Sequence, residues 1–324
     1  MRKLGHIVGV AAVFFSLAAA RSELAQAQTR LVTQGLATPV TPNLFACAPH
    51  PPRNFRASPV GRITAKDGTV LTVPAEVAYA SGPKLADLYN DCSGVVPQHF
   101  SEMDAAKVPV VEIDPDGEVV TGTIIGDNYF ELYVNGRLVG VDAVPYTPFN
   151  SAIVRFKVKR PYTIALKLVD WEERLGLGME TNARGGDWYA GDGGAIARFS
   201  DGTVTDASWK AQAFYIAPLA NPDDVIEKGN VHDTSQLGRV YPAAKLPDCK
   251  ERCFAVHYPI PPDWAAPGFD DSSWPHAAEF TDADVGVDHL PAFTRYPEAF
   301  AGAHWIWSSN LVLDNLVLAR RTVR

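Results

Sequence analysis

Short segments of branched and aromatic residues follow one another from residue 119 onward, separated by tight-turn dipeptides, and this succession constrains the fold more than any other feature. In NYFELYV at 128–134, strand alternation predicts one core-facing set of side chains, Phe130, Leu132 and Val134. Asn135-Gly136 comes next, and this dipeptide takes the positive φ angles that a type I′ turn requires. Residues 128–141 are therefore predicted to form a β-hairpin.

The same pattern recurs along the chain. Further strands are predicted at 119–125, 152–160, 162–170, 194–200 and 203–211, with one or two closing strands within 305–323. A hairpin is predicted at 61–74 around Asp67-Gly68, and one short helix at 83–92. Many short strands with turn signals between them predict a mostly β protein, built as a sandwich or jelly roll.

The first 27 residues have the pattern of a signal peptide. A basic start, MRK, precedes an apolar stretch at 7–20, and Ala25-Gln26-Ala27 supplies the small-x-small pattern that signal peptidase accepts. We therefore expect an exported protein, periplasmic or extracellular, whose mature chain begins at Gln28. A membrane anchor is the alternative, although the apolar stretch is short for a span of about 20 residues.

Charge and hydropathy exclude several partners. The net charge is −8 and the chain has no basic run, so neither nucleic acid nor an anionic lipid surface is an expected partner. After the signal peptide, no apolar stretch is long enough to cross a membrane.

The domain organisation follows from where the strand pattern is interrupted. Residues 28–117 predict an irregular N-terminal extension with small β elements, and residues 118–324 predict the sandwich. Within the sandwich, residues 217–262 carry Pro, Asp, Asn and Lys without periodicity. They are predicted to form a long loop insertion.

Four cysteines, Cys47, Cys92, Cys249 and Cys253, lie in the exported part of the chain. An even number of cysteines in an oxidising compartment predicts two disulfides. We expect Cys47 to pair with Cys92, and Cys249 to pair with Cys253 across the small loop CKERC. The alternative is a metal site, because Cys-x3-Cys is close to zinc-ligand spacing and His257 is nearby.

A set of motifs occurs in a fixed order: DNYFELYVNGRLVG at 127–140, IALKLVD at 164–170, GGAIARFSDG at 193–202, TDASWKA at 205–211 and PGFDDSSWPHA at 267–277. This order resembles the galactose-binding-like β-sandwich (jelly-roll) modules attached to bacterial glycoside hydrolases. The resemblance implies the fold, and it does not carry over a ligand. One departure is that the WIW strand comes last here, whereas in the hydrolases it usually precedes the hairpin.

The stretch at 170–193, DWEERLGLGMETNARGGDWYAGDG, is the richest in binding-type side chains. Its glycines allow close backbone approach, its aromatic rings suit the C–H faces of sugars, and its charged groups can hydrogen-bond sugar hydroxyls. The predicted ligand-binding residues are Trp171, Glu172, Arg184, Asp187, Trp188, Tyr189 and Asp192. The alternative is an exposed loop in which Trp171 and Trp188 cap the core.

Calcium is a second candidate ligand, as a structural ion rather than a required cofactor. Hard oxygen donors occur at Asp127, Asp142, Asp170, Glu173, Asp187 and Asp192. No EF-hand spacing is present, and scattered aspartates in turns usually bind the backbone.

Signatures of catalysis are scarce. The chain has no nucleophile elbow, zinc-protease motif, P-loop or Rossmann fingerprint, so no catalytic residue is assigned. Glu172-Glu173, or Asp187 with Asp192, are the carboxylate pairs available for acid/base chemistry.

The sequence thus predicts an exported, non-catalytic binding protein for carbohydrate or a cell-surface glycan. One alternative is a carbohydrate-active hydrolase that takes its acid and base from the same loop, and another is a structural or adhesive surface protein. The positions of three aromatic rings test the binding hypothesis. If the rings of Trp171, Trp188 and Tyr189 are exposed on one concave face, binding is favoured. If the rings are buried, the predicted binding site is lost.

Overall fold

The computed structural model describes residues 29–47, 51–181, 188–238 and 248–324, so the predicted signal peptide lies outside the described residues. The chain is mostly β, as the sequence predicts, with 42% strand and 10% helix. Two large sheets face each other as a sandwich, and their strands are antiparallel apart from one short parallel addition at an edge.

The first large sheet is built largely from the second half of the chain. In sheet order its strands are β1 (Leu31–Gln34), β18 (Phe254–His257), β15 (Lys210–Leu219), β21 (Asp314–Val323), β11 (Tyr162–Val169), β8 (Tyr129–Val134) and β9 (Arg137–Val141). The predicted hairpin around Asn135-Gly136 is confirmed as β8 and β9, and both turn residues have positive φ. β18 comes from the predicted insertion at 217–262, which therefore contributes a strand to this sheet.

The second large sheet packs against the inner face of the first. In sheet order its strands are β19 (Ala278–Phe280), β20 (Trp305–Trp307), β14 (Gly194–Phe199), β7 (Glu118–Asp127), β10 (Ser151–Val158) and β5 (Ala86–Tyr89), and β6 (Val110–Glu112) pairs in parallel with β10. The predicted closing strands within 305–323 are confirmed as β20 and β21.

Smaller sheets, hairpins and short helices lie outside the two large sheets. A three-stranded sheet contains β2 (Thr38–Thr41), β3 (Val60–Thr64) and β4 (Val70–Val73), and two hairpins contain β12 (Met179–Thr181) with β13 (Trp188–Ala190) and β16 (Ile226–Lys228) with β17 (Val231–Asp233). The short helices are α1 (Cys249–Arg252), α2 (Asp282–Val285) and α3 (Pro291–Thr294). The predicted hairpin around Asp67-Gly68 is confirmed as β3 and β4.

The sandwich interior is the main hydrophobic core. Phe130, Leu132 and Val134 all point into it, as strand alternation predicts, and none is accessible to solvent. The opposite face of β8 is covered by the N-terminal extension, where the backbone N–H of Ala78 donates to Glu131 Oε1 at 2.5 Å. A second apolar cluster fills this outer layer, so both faces of the first sheet are buried.

Two predicted elements are wrong. Residues 83–92 form no helix, because Ala86–Tyr89 pairs with the edge of β10 as β5; a helix of so few residues has little stability of its own. The strand predicted at 203–211 begins only at Lys210 and continues to Leu219. The residues before it turn tightly, since the Asp206 carboxylate accepts from the backbone N–H of Ser208 at 2.8 Å.

Both predicted disulfides are present in the structure. Cys47 pairs with Cys92 and ties the first part of the N-terminal extension to the segment that follows β5. Cys249 pairs with Cys253 across α1, and both residues are buried. The alternative of a metal site at these cysteines is therefore wrong.

Candidate functional site

One end of the sandwich gathers acidic side chains from separate strands, and we call it the acid end. Its members are Asp127 at the end of β7, Asp170 directly after β11, Glu180 in β12 and Asp192 just before β14. Backbone hydrogen bonds hold these strand ends together, because Asn128 N–H donates to Val169 O at 3.0 Å and Asp170 N–H donates to Asn315 O at 2.9 Å. Gly194 lies opposite Asp127 in the register of β14 with β7.

Gly191 packs directly on the Asp170 carboxylate. A Cβ at this position would lie 2.7 Å from Asp170 Oδ2 and 2.8 Å from Oδ1, closer than real Cβ contacts occur. The glycine-rich character of 170–193 therefore has a specific cause here, which is the close approach of the backbone to a buried carboxyl group.

Glu180 is fixed by partners from distant parts of the chain. Its Oε2 atom lies 2.5 Å from Arg56 Nη1 and accepts a hydrogen bond from Tyr146 Oη at 2.6 Å. Tyr189 lies directly opposite Glu180 in the β12–β13 hairpin, so the two side chains share one face. This arrangement places an ion-paired carboxylate beside the buried carboxyl groups of Asp127 and Asp170.

Burial sets the protonation of the acid end. Desolvation raises the pKa of Asp127 and Asp170 well above the usual carboxyl range, and the neighbouring charges of Asp192 and Glu180 raise it further. Both carboxyl groups therefore favour the neutral form, which donates as well as accepts hydrogen bonds.

The same end carries the other carboxyl groups with raised pKa among the described residues. Burial raises the pKa of Asp142 to about 8, and that of Glu172 and Asp314 to about 7. Each of them lies at or next to a strand end on this side of the sandwich. Titration near neutral pH is thus concentrated at one end of the fold.

Trp171 does not fit its predicted role. Its ring is 1% exposed, packs edge-on against Tyr129 with ring centroids 5.8 Å apart, and donates its Nε1–H to Pro59 O at 3.0 Å. No ring face is left for a sugar, so Trp171 is a core residue. The alternative, in which this tryptophan caps the core, describes it correctly.

Glu172 is also buried, and it organises the loop instead of contacting solvent. Its carboxylate accepts hydrogen bonds from the backbone N–H groups of Gly176, Leu177 and Gly178, and from Tyr215 Oη at 3.0 Å. The prediction that Glu172 binds a ligand, or serves as an acid or base, does not fit this position. It preforms the turn that leads into β12.

Trp188 and Tyr189 point to opposite faces of their hairpin, as adjacent strand residues must. Trp188 is half-buried, and the guanidinium carbon of Arg174 lies 4.0 Å from the centre of its ring. Tyr189 is 39% exposed on the face that carries Glu180. The two rings therefore do not share one concave surface, and only Tyr189 belongs to the acid end.

The remaining predicted residues divide into two groups. Asp192 is half-buried, and its charge acts on both Asp127 and Asp170, which places it at the acid end. Arg184 and Asp187 lie outside the described residues. Arg56 and Tyr146 were not predicted at all, and no local pattern marks them, because their contacts with Glu180 span 124 and 34 residues.

Three of the predicted calcium donors lie at the acid end. Asp127, Asp170 and Asp192 are close enough for their charges to influence one another. Over the described part of the chain, however, no group of three or more His, Cys, Asp or Glu side chains has an arrangement that could hold a metal ion.

Comparison with protein-family models, with curated proteins and with solved structures gave no match for this chain. Within residues 29–47, 51–181, 188–238 and 248–324, no helix has the length and apolar character needed to cross a membrane.

Proposed function

We propose that this chain is an exported, non-catalytic binding protein for a neutral carbohydrate, which docks at the acid end. The observation that carries the proposal is the combination of exposed Tyr189 with Glu180, Asp192 and the buried carboxyl groups behind them. Tyr189 offers an aromatic face and a polar edge at the surface. Beside it, Glu180 and Asp192 supply the hydrogen-bonding positions that sugar hydroxyls need.

The charge state of the site favours a neutral, hydroxyl-rich ligand over an ionic one. Asp127 and Asp170 lie buried behind the surface and favour the neutral form, so they do not offer an ionic charge to a ligand. An anionic ligand would face the acidic side chains of Glu180 and Asp192, which disfavour a negative charge. A cationic ligand would have to replace Arg56, which already lies 2.5 Å from Glu180.

Several features support export and the module type. The two disulfides fit an oxidising compartment, and the signal-peptide pattern of residues 1–27 agrees with them. The two-sheet architecture agrees with the galactose-binding-like jelly roll that the motif order resembles. In such sandwiches, ligand sites are commonly carried by loops at one end of the sheets, where the acid end lies.

A glycan array, run on the purified protein with calcium and with a chelator, tests the proposal directly. Titration calorimetry with the best glycan would then compare Tyr189→Ala and Asp192→Asn with the unmodified chain. We expect each substitution to weaken binding about tenfold or more, as loss of one central contact commonly does. The absence of any glycan binding in both conditions would refute the proposal.

Asp116→Asn is the matched control for Asp192→Asn. Asp116 precedes β7 at the end opposite to Asp127, and its side chain is 84% exposed. Binding should be unchanged in this variant. An equal loss of affinity in Asp116→Asn and Asp192→Asn would argue for a general charge effect and against the acid end as the site.

A hydrolase is the second candidate, and one specific observation favours it. The environments of neighbouring carboxyl groups differ, with Asp127 and Asp170 desolvated and Glu180 ion-paired, and such a difference is how acid and base roles are divided. Incubation of the bound glycan with the protein, followed by analysis of its reducing ends, separates the two functions. Turnover that is lost in Asp170→Asn would establish the hydrolase.

A further inference from the structure

The end of the sandwich opposite to the acid end carries an open groove of about 650 Å³, which we call the basic groove. It is bordered by the start of β11, the end of β21 and the start of β15. Its cationic side chains include Arg160, Lys210, Arg320 and Arg321. Arg324 and the acidic residues Asp201, Asp206 and Asp271 line the groove as well, so its charge balance depends on which cations these carboxylates neutralise.

Two of these cations are neutralised by carboxylates inside the groove. Arg160 Nη2 lies 2.7 Å from Asp201 Oδ2, and Arg320 Nε lies 2.9 Å from Asp271 Oδ2. Arg320 is 1% exposed, and its guanidinium also donates to Ala266 O. These pairs are structural, so they contribute little positive charge to a ligand.

Lys210 and Arg321 have only neutral partners. Lys210 Nζ donates to Trp274 O at 2.9 Å, and Arg321 Nη1 donates to Ser208 O at 2.9 Å. Among the residues that the structure describes, no carboxylate oxygen lies within 4.0 Å of either cationic group. Both side chains are half-buried, so water screens their charges less than at an open surface.

The sheet register adds to this unbalanced charge. Lys210 lies directly opposite Arg320 in the pairing of β15 with β21, so two cations occupy neighbouring positions on one face. Like charges that face each other across a sheet are destabilising unless a counterion is present. Asp271 neutralises Arg320. Arg321, the next residue of β21, projects from the opposite face of the sheet, as adjacent strand residues must. Lys210 and Arg321 both line the groove because the groove runs across the ends of these strands.

We propose that the basic groove is an oxyanion site, in which Lys210 and Arg321 bind a phosphate, sulfate or carboxylate group of a small ligand or glycan. Arg321 has five N–H donors, of which Ser208 O takes one, so a planar fork is left for two oxygens of the anion. Thr203 and Thr322 also line the groove. This site is separate from the acid end and does not depend on the function proposed there.

Titration calorimetry at about 50 mM NaCl, with inorganic phosphate, inorganic sulfate and a uronic-acid oligosaccharide as three separate probes, tests the site. Binding of at least one probe is expected, and the preferred probe identifies which oxyanion the groove takes. Lys210→Gln and Arg321→Gln should each weaken that binding about tenfold, because each removes one charge-assisted contact. Raising the NaCl concentration to about 300 mM should weaken it as well.

Arg155→Gln is the matched control. Arg155 is a half-buried arginine in β10 that also donates to backbone carbonyls, those of Ala106 and Val108, but it lies outside the groove. Its substitution should leave anion binding unchanged. The proposal is wrong when none of the three probes binds, or when both groove variants bind as well as the unmodified chain. Because Lys210 and Arg321 are tested separately, misfolding of one variant leaves the other to decide.

Discussion

The two ends of the sandwich are both dense in charged side chains, yet they hold their charges in opposite ways. At the acid end, Asp127 and Asp170 are almost inaccessible to solvent, and burial raises their pKa. In the basic groove, Lys210 and Arg321 stay half-exposed and bond to backbone carbonyls. At the acid end the pKa values rise because the carboxyl groups are buried next to one another, so that desolvation and the charges of Asp192 and Glu180 act in the same direction.

Strand direction explains why the charges separate. β11 begins just after Arg160 and ends just before Asp170, whereas β21 begins at Asp314 and ends near Arg320 and Arg321. The two strands are antiparallel neighbours with opposite charge order along the chain. Their carboxyl groups therefore meet at one end of the sheet and their guanidinium groups at the other.

The largest effect we expect comes from the ion pair at the acid end. Arg56→Gln leaves Glu180 buried beside Asp127 and Asp170 without its cationic partner. Removing one partner of a buried pair typically destabilises a fold by about 3–5 kcal/mol. Urea denaturation at about pH 8 measures the loss, since more of the neighbouring carboxyl groups are ionised there. A change below about 1 kcal/mol would show that the pair behaves like a surface contact.

The pH dependence of stability is the next largest effect. The folded-state pKa of Asp142 (about 8) and those of Glu172 and Asp314 (about 7) lie above their unfolded values. The folded chain therefore binds more protons, so these groups contribute stability below about pH 4 that is lost as the pH rises through 7 to 8. A carboxyl group whose pKa moves from 4.5 to about 7 changes the free energy of unfolding by about 3 kcal/mol.

Denaturation series from about pH 4.5 to pH 8.5 check this dependence, and Asp142→Asn is the informative variant. Asp142 Oδ1 accepts from Val144 N–H and Asn150 Nδ2, while Oδ2 is buried without a partner. The asparagine keeps the accepting oxygen and cannot ionise, so its stability should fall less with rising pH. If the stability of Asp142→Asn and that of the unmodified chain fall equally with rising pH, Asp142 does not titrate in this interval.

A smaller effect is expected from the close approach at Gly191. In Gly191→Ala, the added methyl group would lie 2.7 Å from Asp170 Oδ2, and we expect destabilisation of about 1–3 kcal/mol from overpacking. Gly268→Ala is the matched control near the basic groove, since a Cβ there meets nothing within 4 Å. Thermal denaturation measures the melting temperatures of both variants. Equal melting temperatures would argue against close packing of Gly191 on the Asp170 carboxyl group.

Local patterns predicted much of the fold. Alternation in 128–134 predicted the core set, and the cysteine count predicted both disulfides, because each depends on neighbouring residues or on pairing within a small set. The helix expected at 83–92 failed because pairing with the edge of β10 overrides weak local propensity. Contacts that cross sheets, unlike periodicity, leave no trace in a single sequence.

The candidate site was predictable only in part, for the same reason. Composition singled out 170–193, and Tyr189 and Asp192 of that stretch do lie at the acid end. Composition does not distinguish a buried tryptophan from an exposed one, so Trp171 was assigned to the wrong environment. Arg56 reaches Glu180 from the N-terminal extension, which no local pattern indicates.

The smallest effect is expected in the basic groove, where Arg160→Gln repeats the Arg56 substitution at the other end. The Arg160–Asp201 contact is similarly close, at 2.7 Å against 2.5 Å for Arg56 and Glu180, but the side chain of Arg160 is 43% exposed and that of Arg56 is 13% exposed. Asp201 is itself largely buried, but it also accepts from Tyr162 Oη and from the backbone N–H of Thr203, so it keeps hydrogen bonds once the contact is lost. We therefore expect a loss of about 0–1 kcal/mol by urea denaturation, and less at high salt. Since the two substitutions are chemically the same, their difference isolates burial. Equal losses for Arg160→Gln and Arg56→Gln would mean that burial is not what distinguishes the two ends.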